Sequence, residues 1–274
     1  MRVVVLAPID NSPFALATLE RARREPGVEI AGVVVRSHLQ LARVRSELRR
    51  DGVRLLRKAW RKLVLESSED RTERGFYAIV EELAPARRTL RGFAAAHGIP
   101  HLPVSDPNTD EAVAWVRQRA PDVVAFTGGG LVRAPLLEAS GQGILNAHMG
   151  LLPPYRGMDV VEWPLLEGQH ERIGLGVTLH FMDRGVDTGP IVARYPVAIR
   201  PGDGIERLRT RFEPVMVDAL LDGIRRVRDG ALVAEPQAPK AGRQYFVLHP
   251  RLYGRARAVL ASVAGPGPVD AGGG

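Results

Sequence analysis

Asn146 and His148 stand two residues apart in Gly143-Ile144-Leu145-Asn146-Ala147-His148. On an extended strand, residues two apart point to the same face, so a neutral amide donor and an imidazole lie side by side. At the carboxyl edge of a parallel sheet, where α/β proteins bind ligands, that pair could hold the oxygen of a polarised carbonyl. An isolated Asn-x-His is ordinarily a capping amide beside a packed ring. The segment after His148 is less ordinary: Met149-Gly150-Leu151-Leu152-Pro153-Pro154-Tyr155-Arg156-Gly157 places a proline pair between two glycines, which specifies a rigid, shaped turn. Asp187 falls later, in the glycine-rich stretch Gly185-Val186-Asp187-Thr188-Gly189. An aspartate in such a turn commonly accepts backbone N–H bonds. It could also orient His148, raise its pKa and fix its tautomer.

These groups need a scaffold, and the chain is large enough to build one. It has 274 residues, 45% of them hydrophobic and 25% charged, a globular profile that excludes disorder as the main state. No apolar run approaches the ~20 residues of a spanning helix. The start lacks a signal peptide's long apolar stretch, so the cytoplasm is the expected compartment. With no cysteine, disulfides, thiolate metal sites and a cysteine nucleophile are excluded, and no metal is expected. The net charge is +7, yet residues 36–74 hold twelve Arg or Lys against six Asp or Glu. The remainder is nearly neutral, so a global nucleic-acid surface is not implied.

Residues 2–7 and 29–35 are short, β-branched apolar runs flanking a helical stripe at Phe14, Leu16, Ala17, Leu19 and Ala22; together they read as a βαβ unit. Further strands are expected near 99–104, at 122–126 and from 143, with a helix over 110–119. This alternation predicts an α/β fold with a doubly wound, mostly parallel sheet. Residues 39–93 break the rhythm. There Leu41, Val44 and Leu48, then Leu55, Leu56, Trp60 and Leu63, share helical faces, predicting a basic helical insertion that is either a solvated surface or a contact for phosphate or RNA. Strands at 175–182 and 191–199 are joined by the Asp187 turn, and a long helix spans 205–228. The expected domains are a catalytic one over 1–230, a small C-terminal extension over 231–264, and a disordered tail over 265–274.

Taken together, the two motif segments resemble the formyltransferase family that uses 10-formyl-tetrahydrofolate, with its Asn-x-His-x-Ser-Leu-Leu-Pro-x-x-x-Gly pattern and a later Asp-x-Gly turn. Asn146, His148 and Asp187 match its three catalytic positions, and Gly176-Val177-Thr178-Leu179-His180 matches the strand before the turn. The likeness covers roughly 1–35 and 99–230. Gly150 stands where the family often has Ser. The family's folate pocket implies Phe126, Thr127, Gly128, Gly129, Gly130, Leu131 and Val132 on one side and Met182, Asp183, Gly185 and Val186 on the other. Three consecutive glycines would let backbone approach a flat pterin closely; alone they could be a flexible loop or an anion cradle.

The resemblance implies transfer of a formyl group from 10-formyl-tetrahydrofolate to a primary amine through a tetrahedral oxyanion. In that scheme the His148 imidazolium and the Asn146 amide hold the oxyanion, and Asp187 keeps His148 protonated. Tyr155, Arg156, Gly157, Glu162 and Trp163 come after the catalytic loop and are the expected acceptor wall, although Trp163 suits core packing equally well. The acceptor ranks first as a small-molecule amine, a nucleotide-linked amino sugar, then a peptide or natural-product amine, then glycinamide ribonucleotide or aminoacyl-tRNA. The residues after Asp229 look too few for the added barrel domain of the enzymes that formylate initiator tRNA. A 10-formyl-tetrahydrofolate hydrolase and a non-catalytic RNA-binding protein on the same scaffold are the competing readings. No membrane is expected to be involved.

Overall fold

The valine-rich run Arg2–Ala7 forms β1, buried on both faces from Val3 onward, as expected of a central parallel strand. The computed structural model describes residues 1–36, 75–238 and 240–267. Helix α1 (Pro13–Ala22) begins with Pro13 in its first turn and the Ser12 hydroxyl accepting the Ala15 N–H at 3.3 Å, a side-chain N-cap. β2 (Glu29–Arg36) returns parallel to β1. After α2 (Gly75–Glu81) and α3 (Leu90–His97) come β3 (His101–Val104), α4 (Asp110–Arg119), β4 (Val123–Phe126), α5 (Ala134–Glu138) and β5 (Ile144–His148). Strands β7 (Gly176–Phe181) and β8 (Ile191–Pro196) are added antiparallel, so the seven-stranded order is β3-β2-β1-β4-β5-β7-β8. The sheet is doubly wound and mostly parallel, an α/β fold as the alternation predicts.

Side-chain alternation splits the core. One face, with Val3, Val5, Val33, Leu145 and Leu179, is covered by α1 and by the long helix α8 (Ile205–Arg228). The other, with Val4, Leu6, Val34, Val124 and Ile144, packs under α4 and α5. Gly223 explains how closely α8 lies on the site-bearing strands, because a Cβ there would stand 2.8 Å from Leu145 and 2.9 Å from Leu179. Asn146 and His148 share the parity of Ile144 and therefore project on the face opposite α8.

One expectation changes. Residues 75–93 are no detached insertion: Phe76, Val80, Leu83, Leu90 and Phe93 are buried in the α1 face of the core, where α3 is the crossover helix between β2 and β3. The rest of the expected insertion, residues 39–74, lies outside the described residues, as does the tail from 268. The C-terminal extension expected over 231–264 packs onto the rest of the fold. There β9 (Arg243–Tyr245) pairs parallel with β6 (Tyr155–Gly157), a strand not foreseen. Ala256 and Leu260 of α9 (Pro250–Ala264) join the main core, and α9 packs against α6 (Glu162–Leu166). Among the described residues no helix is long and apolar enough to cross a membrane, and none form a group able to hold a metal ion.

Candidate functional site

Register brings the site together. β5 and β7 run antiparallel with Asn146 opposite His180 and His148 opposite Thr178, so four polar side chains line one face at the carboxyl end of β5. Thr178 ties down the loop after β5: its hydroxyl donates to the Gly150 carbonyl at 2.7 Å and accepts the Leu152 N–H at 3.0 Å. That loop bends back until the Tyr155 carbonyl lies 2.9 Å from His148 Nε2. A carbonyl can only accept, so Nε2 carries the hydrogen and Nδ1 is left facing Asp187 Oδ2 at 3.5 Å. The same reasoning fixes His180, whose Nδ1 donates to the Phe181 carbonyl at 2.7 Å. Its Nε2 then accepts an N–H of the Asn146 amide at 3.0 Å and lies 3.5 Å from Asp187 Oδ1. Asn146, His148 and Asp187, 41 positions apart at their extremes, thus converge, with His180 as a fourth member.

Asp187 adopts φ +53°, a left-handed conformation that aspartate tolerates better than most residues but at some cost. The turn holding it closes on itself, with Asp183 Oδ1 accepting the Gly185 N–H at 3.0 Å and the Thr188 hydroxyl at 2.7 Å. Asp187 Oδ2 also accepts the Gly157 N–H at 2.8 Å. Burial alone would raise the pKa of this carboxyl. Attraction to His148 and His180 in their charged forms, together with the Gly157 N–H, outweighs burial and brings it down to about 2, so Asp187 is an anion at neutral pH.

His148 behaves differently from expectation. Burial pushes its pKa below the usual histidine value, and Asp187 only partly offsets this, so the resting ring is neutral. Its side chain is 7% exposed, and both ring nitrogens face protein groups. An imidazolium aimed directly at a bound oxyanion is therefore not what this arrangement presents. The group that looks outward beside Asp187 is the half-buried Asn146, whose second amide N–H is available to a ligand.

The expected folate wall is partly apolar and partly bare backbone. Gly128, Gly129 and Gly130 come after β4 with φ of +118°, +130° and +102°, a run that side-chain-bearing residues cannot adopt without strain. A Cβ on Gly128 would come 3.2 Å from Pro8, and one on Gly130 would come 3.1 Å from the Arg36 guanidinium, which itself donates to the Gly129 carbonyl at 2.9 Å. Phe126 and Met182 each pack against the core beneath, Val132 is buried, and Leu131 is exposed. The Thr127 hydroxyl is committed to the Leu6 carbonyl at 2.8 Å.

The expected acceptor wall is mostly sealed. Glu162 is fully buried and binds Arg209 through both oxygens, at 2.8 and 2.7 Å. It is part of the frame and cannot meet an acceptor. Tyr155 is buried, stacked on Tyr245, with its hydroxyl donating to Glu167 at 3.0 Å. Arg156 is buried too, its guanidinium donating to Gln237, so it is not offered to a phosphate. Trp163 leans on Tyr245 and donates its indole N–H to the Phe246 carbonyl at 3.2 Å. Only main-chain groups of this wall keep a place at the site, the Gly157 N–H on Asp187 and the Tyr155 carbonyl on His148. Burial depends on the later strand β9, which covers this loop and could not be foreseen from the loop itself.

Glu162→Gln should lower the free energy of unfolding by roughly 2–3 kcal/mol in urea denaturation. That is less than the roughly 3–5 kcal/mol typical of breaking a buried ion pair, because Arg209 is 32% exposed and retains Asp159 at 3.3 Å. Of the residues missed, His180 left a signal: in the strand Gly176–Phe181 the polar Thr178 and His180 alternate with apolar Val177, Leu179 and Phe181. Gln237 left none, lying in a stretch without regular structure.

The formyl transferase family model matches residues 1–224. The methionyl-tRNA formyltransferase of Trichlorobacter lovleyi is 30% identical over 181 residues, covering 63% of this chain and 56% of that protein. That of Geobacter metallireducens is 33% identical over 178 residues, covering 60% and 56%. The chain spans about half the length of the curated relatives it matches. Among solved structures, glycinamide ribonucleotide transformylase 1 from Symbiobacterium toebii shares the fold with a TM-score of 0.52 at 23% identity, over 88% of this chain and 92% of that one. A sugar N-formyltransferase from Shewanella sp. FDAARGOS_354 shares it with a TM-score of 0.53 at 14% identity, over 89% and 76%. The match over most of its length, together with the sheet order and the Asn146, His148 and Asp187 arrangement, establishes that the chain belongs to the formyl transferase family.

Proposed function

We propose that the protein transfers a formyl group from 10-formyl-tetrahydrofolate to the primary amine of a small molecule. The observation that carries this reading is the meeting of His148 and Asp187 at 3.5 Å beside the Asn146 amide, towards the carboxyl end of β5. The three-glycine cradle suits a flat pterin: the backbone after β4 is bare of side chains, and Phe126 and Met182 pack on the core at the ends of β4 and β7. The folate would supply an N-formyl carbonyl for the amine to attack.

This chain's residues then divide the work. The second N–H of Asn146 stabilises negative charge on the formyl oxygen, a contribution typically worth about 3–4 kcal/mol. Asp187 receives the proton that the amine loses as its nitrogen bonds to the formyl carbon. With a pKa of about 2 the carboxylate is a poor resting place for that proton, and Nδ1 of His148 behind it is a better one. When the bond from the formyl carbon to the folate nitrogen breaks, the same proton returns through Asp187 to that nitrogen. The products are a formamide and tetrahydrofolate, and charge and protons balance.

On the acceptor side, Met158, Phe246 and Val247 remain exposed. Gly157 pairs with Tyr245 in the parallel β6–β9 ladder, so Met158 and Phe246 leave it at the same end, next to the Gly157 N–H that binds Asp187. An apolar rim there favours an acceptor with a flat or apolar part, as a nucleotide-linked amino sugar has in its base. Aminoacyl-tRNA is the second reading, favoured by similarity to methionyl-tRNA formyltransferases. The test is mass spectrometry of an amine panel incubated with protein and 10-formyl-tetrahydrofolate, containing nucleotide-linked amino sugars, glycinamide ribonucleotide and methionyl-tRNA. One formyl group gained by a small-molecule amine is expected. Formylation of the tRNA alone would replace the acceptor, and release of formate without any amine would favour the hydrolase.

A further inference from the structure

Gln237 lies 50 residues beyond Asp187 and outside the residues matched by the family model, yet its side chain joins both halves of the site. Its Oε1 accepts from Arg156 Nε at 3.3 Å and from an Arg156 terminal nitrogen at 3.0 Å. Its Nε2 donates to the Asp187 carbonyl at 2.9 Å and the Gly189 carbonyl at 2.7 Å. A guanidinium only donates and a carbonyl only accepts, so the amide orientation is forced and its four hydrogen-bonding positions are all used. Arg156 adjoins Gly157, whose N–H holds the carboxylate of Asp187. A closed ring therefore runs from Gln237 through Arg156 and Gly157 to the Asp187 carboxylate, and back from the Asp187 carbonyl to Gln237.

The backbone around Gln237 is itself anchored. Glu235 and Ile191 exchange two backbone hydrogen bonds of 2.8 Å, and β9 lies in register on β6. A strained aspartate persists only where its surroundings over-determine it, and Asp187 is held at both its carbonyl and its carboxylate. We infer that Gln237 is a positioning residue, whose carboxamide holds the Asp187 turn and Arg156 in the arrangement that delivers the carboxylate to His148 and His180. The kinetic part of this inference rests on the formyl-transfer reading; the structural part does not.

The experiment uses the full chain carrying Gln237→Met, which keeps the length of the side chain but cannot bridge, with Arg243→Met as control. Arg243 begins β9, six residues after Gln237, and pairs with Glu167 at 2.8 Å, away from Asp187. The first readout is the His148 titration monitored by NMR of the imidazole. The groups facing that ring are Asp187 from the turn, His180 from β7 and the Tyr155 carbonyl from the loop. Displacement of the Asp187 carboxylate from the ring should move the midpoint to lower pH in Gln237→Met and leave it unchanged in Arg243→Met. The second readout is kinetic: kcat should fall about 10- to 100-fold, the scale of a small misplacement of a reacting group, with KM for the formyl donor nearly constant. Should Gln237→Met not fold, Gln237→Asn, too short to span the gap, takes its place with the same expected results. An unshifted His148 midpoint, or an equal effect of Arg243→Met, overturns the inference. If the wild-type protein transfers no formyl group, the proposed formyl transfer fails, while the NMR result still decides the role of Gln237.

Discussion

Replacing Asn146 by Asp should abolish most turnover while leaving folate binding intact. The substitution keeps the shape of the side chain but exchanges an N–H donor for a negative oxygen at the point where negative charge develops. Loss of a single donor of this kind typically costs about 10²–10³ in kcat. Here the loss is compounded, because the new carboxylate also faces His180 Nε2, 3.0 Å away, close to the Asp187 anion. We expect kcat to fall by at least about 10³, with the dissociation constant for tetrahydrofolate, measured by calorimetry, changed little. The glycine cradle is independent of Asn146, which is why binding should survive. Normal kcat in this variant would remove Asn146 from the chemistry.

Asp187→Asn should have a comparable effect by a different route. Asparagine accommodates a positive φ as readily as aspartate, and its side-chain oxygen can still accept the Gly157 N–H, so the turn should stay in place. What disappears is the charge and the proton path to His148, and a positioned acid–base group is typically worth about 10²–10⁴ in rate. The acid limb of any residual activity should also move to lower pH, since Asp187 is the group that raises the pKa of His148.

Stability supplies a second check on the same residue. The folded-state pKa of Asp187 is about 2, against an ordinary value of 3.8. Between those values the unfolded chain binds more protons than the folded one, so the stabilisation is fully present above about pH 4 and is lost as pH falls towards 2. Of the roughly 2 kcal/mol at stake, about 1 kcal/mol is lost by pH 3, which is large enough to see in urea titrations at pH 6 and pH 3. The wild type should lose this increment on acidification and Asp187→Asn should not. Equal pH dependence of the two proteins would place the proton elsewhere.

Legibility differs among the elements for identifiable reasons. Strands β1, β2 and β4 are short β-branched runs with both faces covered, a pattern that is local and therefore readable. The role of α3 as a crossover helix is hidden because it comes after residues 37–74, whose arginines mask the return of the core pattern at Leu90 and Phe93. The acceptor wall fails for another reason. Glu162, Tyr155 and Arg156 are polar residues beside a catalytic loop, which suggests ligand contact, but Arg209, Glu167 and Gln237 reach them from 47, 12 and 81 positions away.

By itself the chain's sequence determined which groups are present and how neighbours share a face: Asn146 and His148 point together because side chains alternate along any strand. It also determined the sheet class, which derives from hydrophobic period and element order. Tertiary structure alone decided that β7 would pair with β5 in the register that sets His180 against Asn146, and that the Asp187 turn would close over His148. It also decided the resting charge of His148, since burial depends on everything packed around the ring and leaves no mark on the residues beside it. Local geometry is carried by covalent connection, whereas partners and pKa values are carried by contacts between segments that only the folded chain brings into reach.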